Sequence, residues 1–173
     1  MKTASVSKAK QCPCPSGSSS HTIDGKQKCL KYGGSKPIKE AEKICGTLGG
    51  ELPVPRNSAE NNDYYKAFFI VNKNVEKVAL GLKDSKTEKV WLTSKDEKII
   101  FSNWGSTQPD DAGGDQDYAV IYYPGAWVTG WHQNWIPTNI QKWDDVHGDI
   151  VVDIICELPA KCSKGQFLTC FRK

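Results

Sequence analysis

The feature that most constrains this chain is a set of seven cysteines among 173 residues. They form no CxxC…CxxC arrangement, and the run Cys12-Pro13-Cys14-Pro15 is a poor metal site. A disulfide framework formed in an oxidising compartment is the better interpretation, which predicts a secreted, extracellular protein. Because the count is odd, one thiol is left free or pairs with another chain.

Composition excludes several classes of protein. Hydrophobic residues make up 38% of the chain and charged residues 25%, and a chain of this length is most simply one domain. A net charge of +3 is too small to imply nucleic acid, and no apolar run approaches the roughly 20 residues of a membrane span. The first eight residues lack the apolar core of a signal peptide. The three histidines have no metal spacing and no Gly-x-Ser-x-Gly occurs, so we expect no enzyme.

Periodicity predicts an α+β fold, with helices in the first half and strands and loops in the second. An amphipathic helix is expected over Lys36–Leu48, and Asn57 with Glu60 resembles a capping box that opens a second helix. Predicted strands cover Gln27–Tyr32, Val78–Leu82, Tyr118–Tyr123 and Ile150–Glu157. We expect a disordered segment at residues 1–11, a single domain at 12–158, and a Cys-containing tail at 159–173.

Oxygen-bearing side chains cluster in two places. Gln108 and Asp110 flank Pro109, and a cis Gln108–Pro109 bond would point both side chains the same way. Amide and carboxylate oxygens in such a turn can form half of an oxygen-only calcium site that also hydrogen-bonds a ligand. The run Trp143-Asp144-Asp145 supplies a second acidic cluster just before the last strand.

Several ordered motifs together resemble the C-type lectin domain family, in its long form and its galactose-preferring Gln-Pro-Asp class. The motifs are Val78-Ala79-Leu80-Gly81-Leu82, Phe101-Ser102-Asn103-Trp104, Gln108-Pro109-Asp110, Trp143-Asp144-Asp145 and Cys156-Glu157. The resemblance implies a C-type lectin-like fold with two helices flanking small antiparallel sheets and a long calcium-binding loop region. It also implies two disulfides, Cys14–Cys29 and Cys45–Cys156.

The resemblance implies a primary calcium site and, on it, a sugar site. Calcium would be held by Gln108, Asp110, Asp144 and Asp145, and sugar hydroxyls would complete its shell. Gln108, Asp110 and Asp144 would also contact the sugar, which the Gln-Pro-Asp order makes galactose or N-acetylgalactosamine. The partners implied are galactose-containing glycans.

This chain departs from the family's pattern at three points. Gln116 stands where a glutamate ligand is usual, with Asp115 beside it, and Asp144 replaces the usual asparagine. We interpret the second change as restoring the charge that the first removes. Tyr118 replaces one cysteine of the family's inner disulfide, and residues 146–149 lack its partner.

An auxiliary calcium site is also expected, although its acidic residues can equally be solvated loop charges. Asp84 and Glu88 have the spacing of collectin-like members, and Asp111 and Asp117 would add carboxylates. Asp115 or Gln116 would bridge the two ions.

The segment from Pro124 to Lys142 contains Trp127, Trp131 and Trp135. These rings fill a satellite core, or one of them stacks on sugar or forms an oligomer contact; Trp135 or Trp131 is the preferred sugar platform.

Three cysteines remain outside the two implied disulfides. Either Cys162 pairs with Cys170, leaving Cys12 for a disulfide-linked homodimer, or Cys12 pairs with one of those two.

The main rival function is a C-type-lectin-like domain that binds a protein, mineral or ice surface without sugar.

Overall fold

The computed structural model describes residues 11–123 and 141–162. The helices are a 3-10 turn at Ile38–Glu40, α1 at Ala41–Thr47 and α2 at Ser58–Val71. The strands are β1 Ser19–Ile23, β2 Lys26–Pro37, β3 Lys77–Lys83, β4 Leu92–Thr93, β5 Tyr118–Tyr122, β6 Trp143–Val146 and β7 Val151–Leu158. None of the described helices is long and apolar enough to cross a membrane.

The described strands form one seven-stranded mixed sheet. Its order is β1-β2-β7-β3-β5-β6, with β4 paired to β3 outside this path. All pairings are antiparallel except that of β3 with β7, where Val78 meets Asp153. The two expected helices are present, but a single mixed sheet replaces the small antiparallel sheets that we predicted, because β7 pairs with both β2 and β3.

Successive residues of the central strands enter two core clusters on opposite faces of the sheet. Ile155 packs into the cluster that receives α2, whereas Ile154 packs into the cluster that receives α1. This alternation is the two-residue period of a strand. Both faces of β3 and β7 are therefore buried, which is why their sequences read as continuous apolar runs.

Gly81 shows why a glycine was expected in the β3 motif. A Cβ atom at this position would lie 2.9 Å from the carbonyl oxygen of Leu52 and 2.9 Å from Cγ2 of Val54. Side chains do not tolerate such approaches, so only glycine lets the segment before α2 pack directly on β3.

The helices follow the predicted pattern with two corrections. Regular α-helix begins at Ala41, not Lys36, because residues 26–37 continue as β2. The side chain of Asn57 caps α2 by accepting a hydrogen bond from the Glu60 N–H (2.8 Å). The reciprocal bond of a capping box is displaced by one residue, since Glu60 accepts from the N–H of Arg56.

Three disulfides join described residues: Cys12–Cys162, Cys14–Cys29 and Cys45–Cys156. The latter two confirm the pairs that the family resemblance implied. Cys12 is therefore not the leftover thiol, and Cys162 does not pair with Cys170; Cys170 lies outside the described residues. Strand β1 was not among the predicted strands, and its pair with β2 forms the hairpin that Cys14–Cys29 fastens.

Candidate calcium and glycan site

Strand β6 carries the acidic pair of the site. It is the last strand of the sheet order, and all four of its residues are buried. Trp143 enters the core, where its indole N–H donates to the Asn61 side-chain oxygen (2.7 Å). Rings of Phe101 and Trp104 meet Trp143 edge-on. These contacts fix the start of β6 and therefore the position of Asp144 and Asp145.

Asp145 fastens the loop that bears the Gln-Pro-Asp motif. Its two carboxylate oxygens accept hydrogen bonds from the backbone N–H groups of Asp110 (3.0 Å) and Asp111 (2.7 Å). The carboxylate is almost fully buried, and burial raises its pKa, while the two N–H donors oppose the rise. The acidic clusters that are 35 residues apart in sequence thus meet in one place, as predicted.

The amide of Gln108 lies in this loop, and the Gln108–Pro109 bond is cis, as the sequence suggested. The side-chain oxygen Oε1 of Gln108 is buried and has no hydrogen-bond partner within the described chain. Leaving such an acceptor unpaired costs about 1–3 kcal/mol. An amide oxygen is a calcium ligand and the side chains next to it in the loop and on β6 also offer oxygens, so the chemistry of this donor set is the kind that calcium prefers.

Asp144 lies on β6 beside Asp145, buried, and its carboxylate accepts a hydrogen bond from the side chain of Tyr122 on β5. Burial raises the pKa of Asp144 to about 7, and the charge of Asp145 adds to the rise, while the bond from Tyr122 opposes it. Burial and the neighbouring charge of Asp145 therefore disfavour the ionised form of Asp144, and a cation bound beside it would favour that form.

The loop residues after Asp111 bond to one another. Gln116 donates its backbone N–H to Asp111 (3.1 Å), and its side-chain oxygen accepts from the Ala112 N–H. Asp115 is exposed and faces His147, with its Oδ2 atom 2.9 Å from Nε2. Gln116 therefore supports the loop backbone, and Asp115 is turned toward the end of β6.

The auxiliary group lies at the end of β3. Asp84 is 4% exposed; its Oδ2 accepts from the Lys89 N–H (3.0 Å), and Oδ1 has no partner in the described chain. Its backbone N–H donates to the carbonyl oxygen of Asp117 (3.2 Å). Burial, with smaller contributions from Glu88 and Asp117, raises the pKa of Asp84 to about 6. Glu88 and Asp117 are thus close enough to act on Asp84, whose buried Oδ1 atom has no hydrogen-bond partner within the described chain.

Not every predicted ligand is gathered. Within residues 11–123 and 141–162, no three His, Cys, Asp or Glu side chains stand close enough together to hold a metal ion by themselves. The predicted sugar platforms Trp131 and Trp135, like Trp127, lie outside the described residues. The assignments of Gln108, Asp110, Asp144 and Asp145, and of the auxiliary residues, remain predictions.

Two residues beside the site were not found from the sequence. Tyr122 bonds Asp144 from the neighbouring strand, where Val120 is the register partner of Asp144. His147 bonds Asp115 and accepts the N–H of Asp149 (3.0 Å). In the sequence, Tyr122 is one aromatic residue of a predicted strand. Its contact with Asp144 can be inferred only once β5 is known to pair with β6.

Comparison with known proteins agrees with this picture. The model of the family "Lectin C-type domain" matches residues 34–158. The bovine (Bos taurus) pulmonary surfactant-associated protein D is 31% identical over 102 residues, which is 58% of this chain. The chain spans only about a quarter of that relative's length, the aligned part being 27% of it.

Solved structures establish the fold. The carbohydrate-recognition domain of the mouse scavenger receptor C-type lectin superposes with a TM-score of 0.66 at 22% identity, covering 86% of this chain and 99% of that one. The C-type lectin CEL-I from Cucumaria echinata gives 0.63 at 17%, with 86% and 99% covered. A calcium-independent type II antifreeze protein gives 0.66 at 19%, with 89% and 100% covered.

These matches define the class as a binding domain of the C-type lectin kind, a class that is generally not enzymatic. The chain belongs to the C-type lectin domain family.

Proposed function

We propose that this protein is a secreted, calcium-dependent lectin that recognises terminal galactose or N-acetylgalactosamine. The observation that carries the proposal is the buried, unpaired Oε1 atom of Gln108, in a loop that Asp145 holds against β6. Gln108, Asp110, Asp144 and Asp145 would hold the ion. Calcium would supply a positive centre at which two vicinal sugar hydroxyls bind.

The residues of the chain perform the other tasks. Asp145 fixes the loop through the N–H groups of Asp110 and Asp111, so the loop is ordered before a ligand arrives. Gln108 can donate from its amide NH2 to a sugar oxygen, whereas an ionised Asp110 can only accept. This order of donor and acceptor around the proline supports the galactose preference. Disulfides at Cys14–Cys29 and Cys45–Cys156 support an extracellular site of action.

A second calcium ion at Asp84, Glu88 and Asp117, with Asp111 and Asp115 or Gln116 nearby, is part of the proposal. The unpaired Oδ1 atom of buried Asp84 favours it. Replacing Asp84 with Asn should reduce the number of calcium ions bound from two to one in a calorimetric titration. An unchanged stoichiometry would remove the auxiliary site from the account.

The test of sugar specificity is retention on immobilised galactose and on immobilised mannose with calcium, followed by elution with a chelator. We expect retention on galactose alone. The double variant Gln108→Glu/Asp110→Asn, which carries the mannose-type order, should move retention to mannose. Asp96→Asn is the matched control, because it removes an exposed carboxylate whose ion pair within the described residues is with Lys86.

A different candidate is a calcium-independent binder of a protein or surface. The departures at Gln116 and Asp144 favour it, as does the likeness to the calcium-independent type II antifreeze protein. Loss of retention on both sugars, with a folded protein and no calcium binding, would select this candidate.

We also propose a disulfide-linked homodimer through Cys170. The other six cysteines are paired within the chain, so Cys170 is the one cysteine that those pairs leave over. Two linked sites would raise avidity, since single-sugar contacts are about millimolar. Cys170→Ser should convert a dimer on a non-reducing gel into a monomer. A wild-type monomer would contradict the proposal.

A further inference from the structure

Tyr122 is a buried tyrosine of β5 whose hydroxyl reaches the acidic pair on β6. In the antiparallel pairing of these two strands, Val120 lies opposite Asp144. Tyr122 is two residues further along β5, on the same face of the sheet, and is therefore the diagonal neighbour of Asp144. Diagonal neighbours on adjacent strands are about 7–8 Å apart, a gap that an aromatic side chain can span. The hydrogen bond from Tyr122 to the Asp144 carboxylate follows from this register.

The ring of Tyr122 has a fixed place. It packs in the core cluster that receives α1, to which Val120 and Val146 also belong. Tyr122 is 9% exposed and Asp144 is 6% exposed, so water has little access to the bond between them. Because the ring is packed, its hydroxyl is a fixed point to which the carboxylate is tied.

The Asp144 carboxylate accepts hydrogen bonds from the Tyr122 hydroxyl and from the backbone N–H of Asp145. An ionised carboxylate has about four acceptor positions on its two oxygens, so these two bonds leave it able to ligate a cation as well. The loop that bears the Gln-Pro-Asp motif is fastened to Asp145, through the N–H groups of Asp110 and Asp111. Asp144 is thus oriented from β5 and by its own strand.

Orientation matters at Asp144 because like charges surround it. The charges of Asp145 and Asp110 both act on its carboxylate. Since like charges repel, a carboxylate without a fixed donor gains by turning away from the other two. The bond from Tyr122 limits that rotation, and a ligand that is already oriented loses less freedom when an ion binds.

Side chains that hydrogen-bond a metal ligand orient it, and their replacement commonly weakens metal binding by about 10–100-fold. We propose that Tyr122 is a positioning residue of the calcium site, which holds Asp144 in the orientation that ligates the primary ion. The inference rests on the proposed calcium site. It adds to that site a residue of β5 that is not itself a ligand.

The test is a nuclear magnetic resonance titration of the whole chain with calcium, which follows the amide signals of Asp110 and Asp111 and so reports on the primary ion. Tyr122→Phe removes the hydroxyl and keeps the ring. We expect this variant to bind calcium about tenfold more weakly than the wild type. The double variant Tyr122→Phe/Asp144→Ala should bind no more weakly than Asp144→Ala alone, because the hydroxyl then has no carboxylate to orient.

Matched controls are Tyr64→Phe and Tyr123→Phe, which also remove a hydrogen bond of a buried phenol. Tyr64 donates to the Glu157 carboxylate, and Tyr123 donates to the backbone carbonyl oxygen of Tyr65. All three Tyr→Phe variants should lower the free energy of unfolding in chelator. The two controls should bind calcium as the wild type does, which separates a positioning role from a purely structural one.

The proposal is overturned if Tyr122→Phe binds calcium as tightly as the wild type, or if the three Tyr→Phe variants lose affinity alike. It is also overturned if Tyr122→Phe weakens binding further in the Asp144→Ala variant. Equal binding by the wild type and Tyr122→Phe would remove only the role of Tyr122. A wild type that binds no calcium would instead remove the proposed calcium site, and this role with it.

Discussion

Two regions of this domain are held in place by different means. The framework of the β1–β2 hairpin, α1 and β7 is fastened by three disulfides. The loop from Gln108 to Gln116 is fastened by hydrogen bonds to Asp145 and within itself, and Tyr118 stands where the family has an inner cysteine. Stability is therefore concentrated in the framework, and the candidate site depends on a buried carboxylate.

Disulfides and hydrogen bonds to a carboxylate respond differently to a bound ion. A disulfide stabilises by constraining the unfolded chain, whatever is bound to the folded one. Hydrogen bonds to Asp145 instead depend on the protonation and ligation of that carboxylate. A site fastened in this way responds to a bound cation, whereas the framework does not.

The largest loss of stability is expected from removing the Cys45–Cys156 disulfide, which joins α1 to β7. Cys45→Ala/Cys156→Ala opens a link between residues 111 apart and should lower the free energy of unfolding by about 5 kcal/mol, measured by urea denaturation. Cys14→Ala/Cys29→Ala opens a link across only 15 residues and should cost about 3 kcal/mol. Equal losses, or none, would mean that the framework does not depend on chain constraint.

Asp145→Ala should cost about 2–3 kcal/mol, because it leaves two backbone donors without their acceptor. The loss should be local. Hydrogen exchange should accelerate at the N–H groups of Asp110 and Asp111 and remain slow in β7. Asp96→Asn, which neutralises an exposed carboxylate and suits the left-handed backbone at this position, is the control and should leave both exchange rates and stability nearly unchanged. Uniform acceleration through the sheet would show that loop and framework unfold together.

Calcium should stabilise the loop by linkage. At a tenfold excess over its Kd the ion should add about 1.4 kcal/mol to the free energy of unfolding. The measurement is the melting temperature in calcium, in magnesium and in chelator. We expect a rise in calcium alone, and a melting temperature that is the same in all three would contradict a calcium-filled site.

The smallest loss of stability is expected from a change at Gly148, which packs against Tyr118 where this chain lacks the family's inner disulfide. A Cβ atom on Gly148 would lie 3.0 Å from the Tyr118 ring, so ring and glycine backbone pack closely at this point. Gly148→Ala should cost about 1 kcal/mol through this crowding. Adding Tyr118→Val should remove most of the cost. Additive losses in the double variant would show that the two residues do not interact.

Much of the framework could be predicted from the sequence, because its signals are local. The apolar runs of β3 and β7 and the Asn57 cap each depend on a few neighbouring residues, whereas the glycine at position 81 was expected from the family motif. The pairings Cys14–Cys29 and Cys45–Cys156 came from the family resemblance. The partner of Cys12 could not be chosen, since it depends on how the two ends of the domain meet.

For the candidate site the sequence predicts which residues take part, and their role as ligands stays a prediction. The sequence brings Gln108, Asp110 and Asp145 into one site, and the structure places Asp145 under the loop. The sequence does not reveal that the Asp145 carboxylate accepts from backbone N–H groups. Nor does it reveal that Asp115 faces His147, or that Tyr122 donates a hydrogen bond to Asp144. Those contacts depend on strand pairing, which no local pattern encodes.

The most direct measurement is a calorimetric calcium titration of the wild type and of Gln108→Leu, which removes the unpaired oxygen and keeps the side chain's approximate size. The account predicts wild-type binding at about 0.1–1 mM. In Gln108→Leu it predicts loss of the primary ion, with an unfolding free energy in chelator equal to or above that of the wild type. Undiminished calcium binding by Gln108→Leu, or none by the wild type, would contradict it.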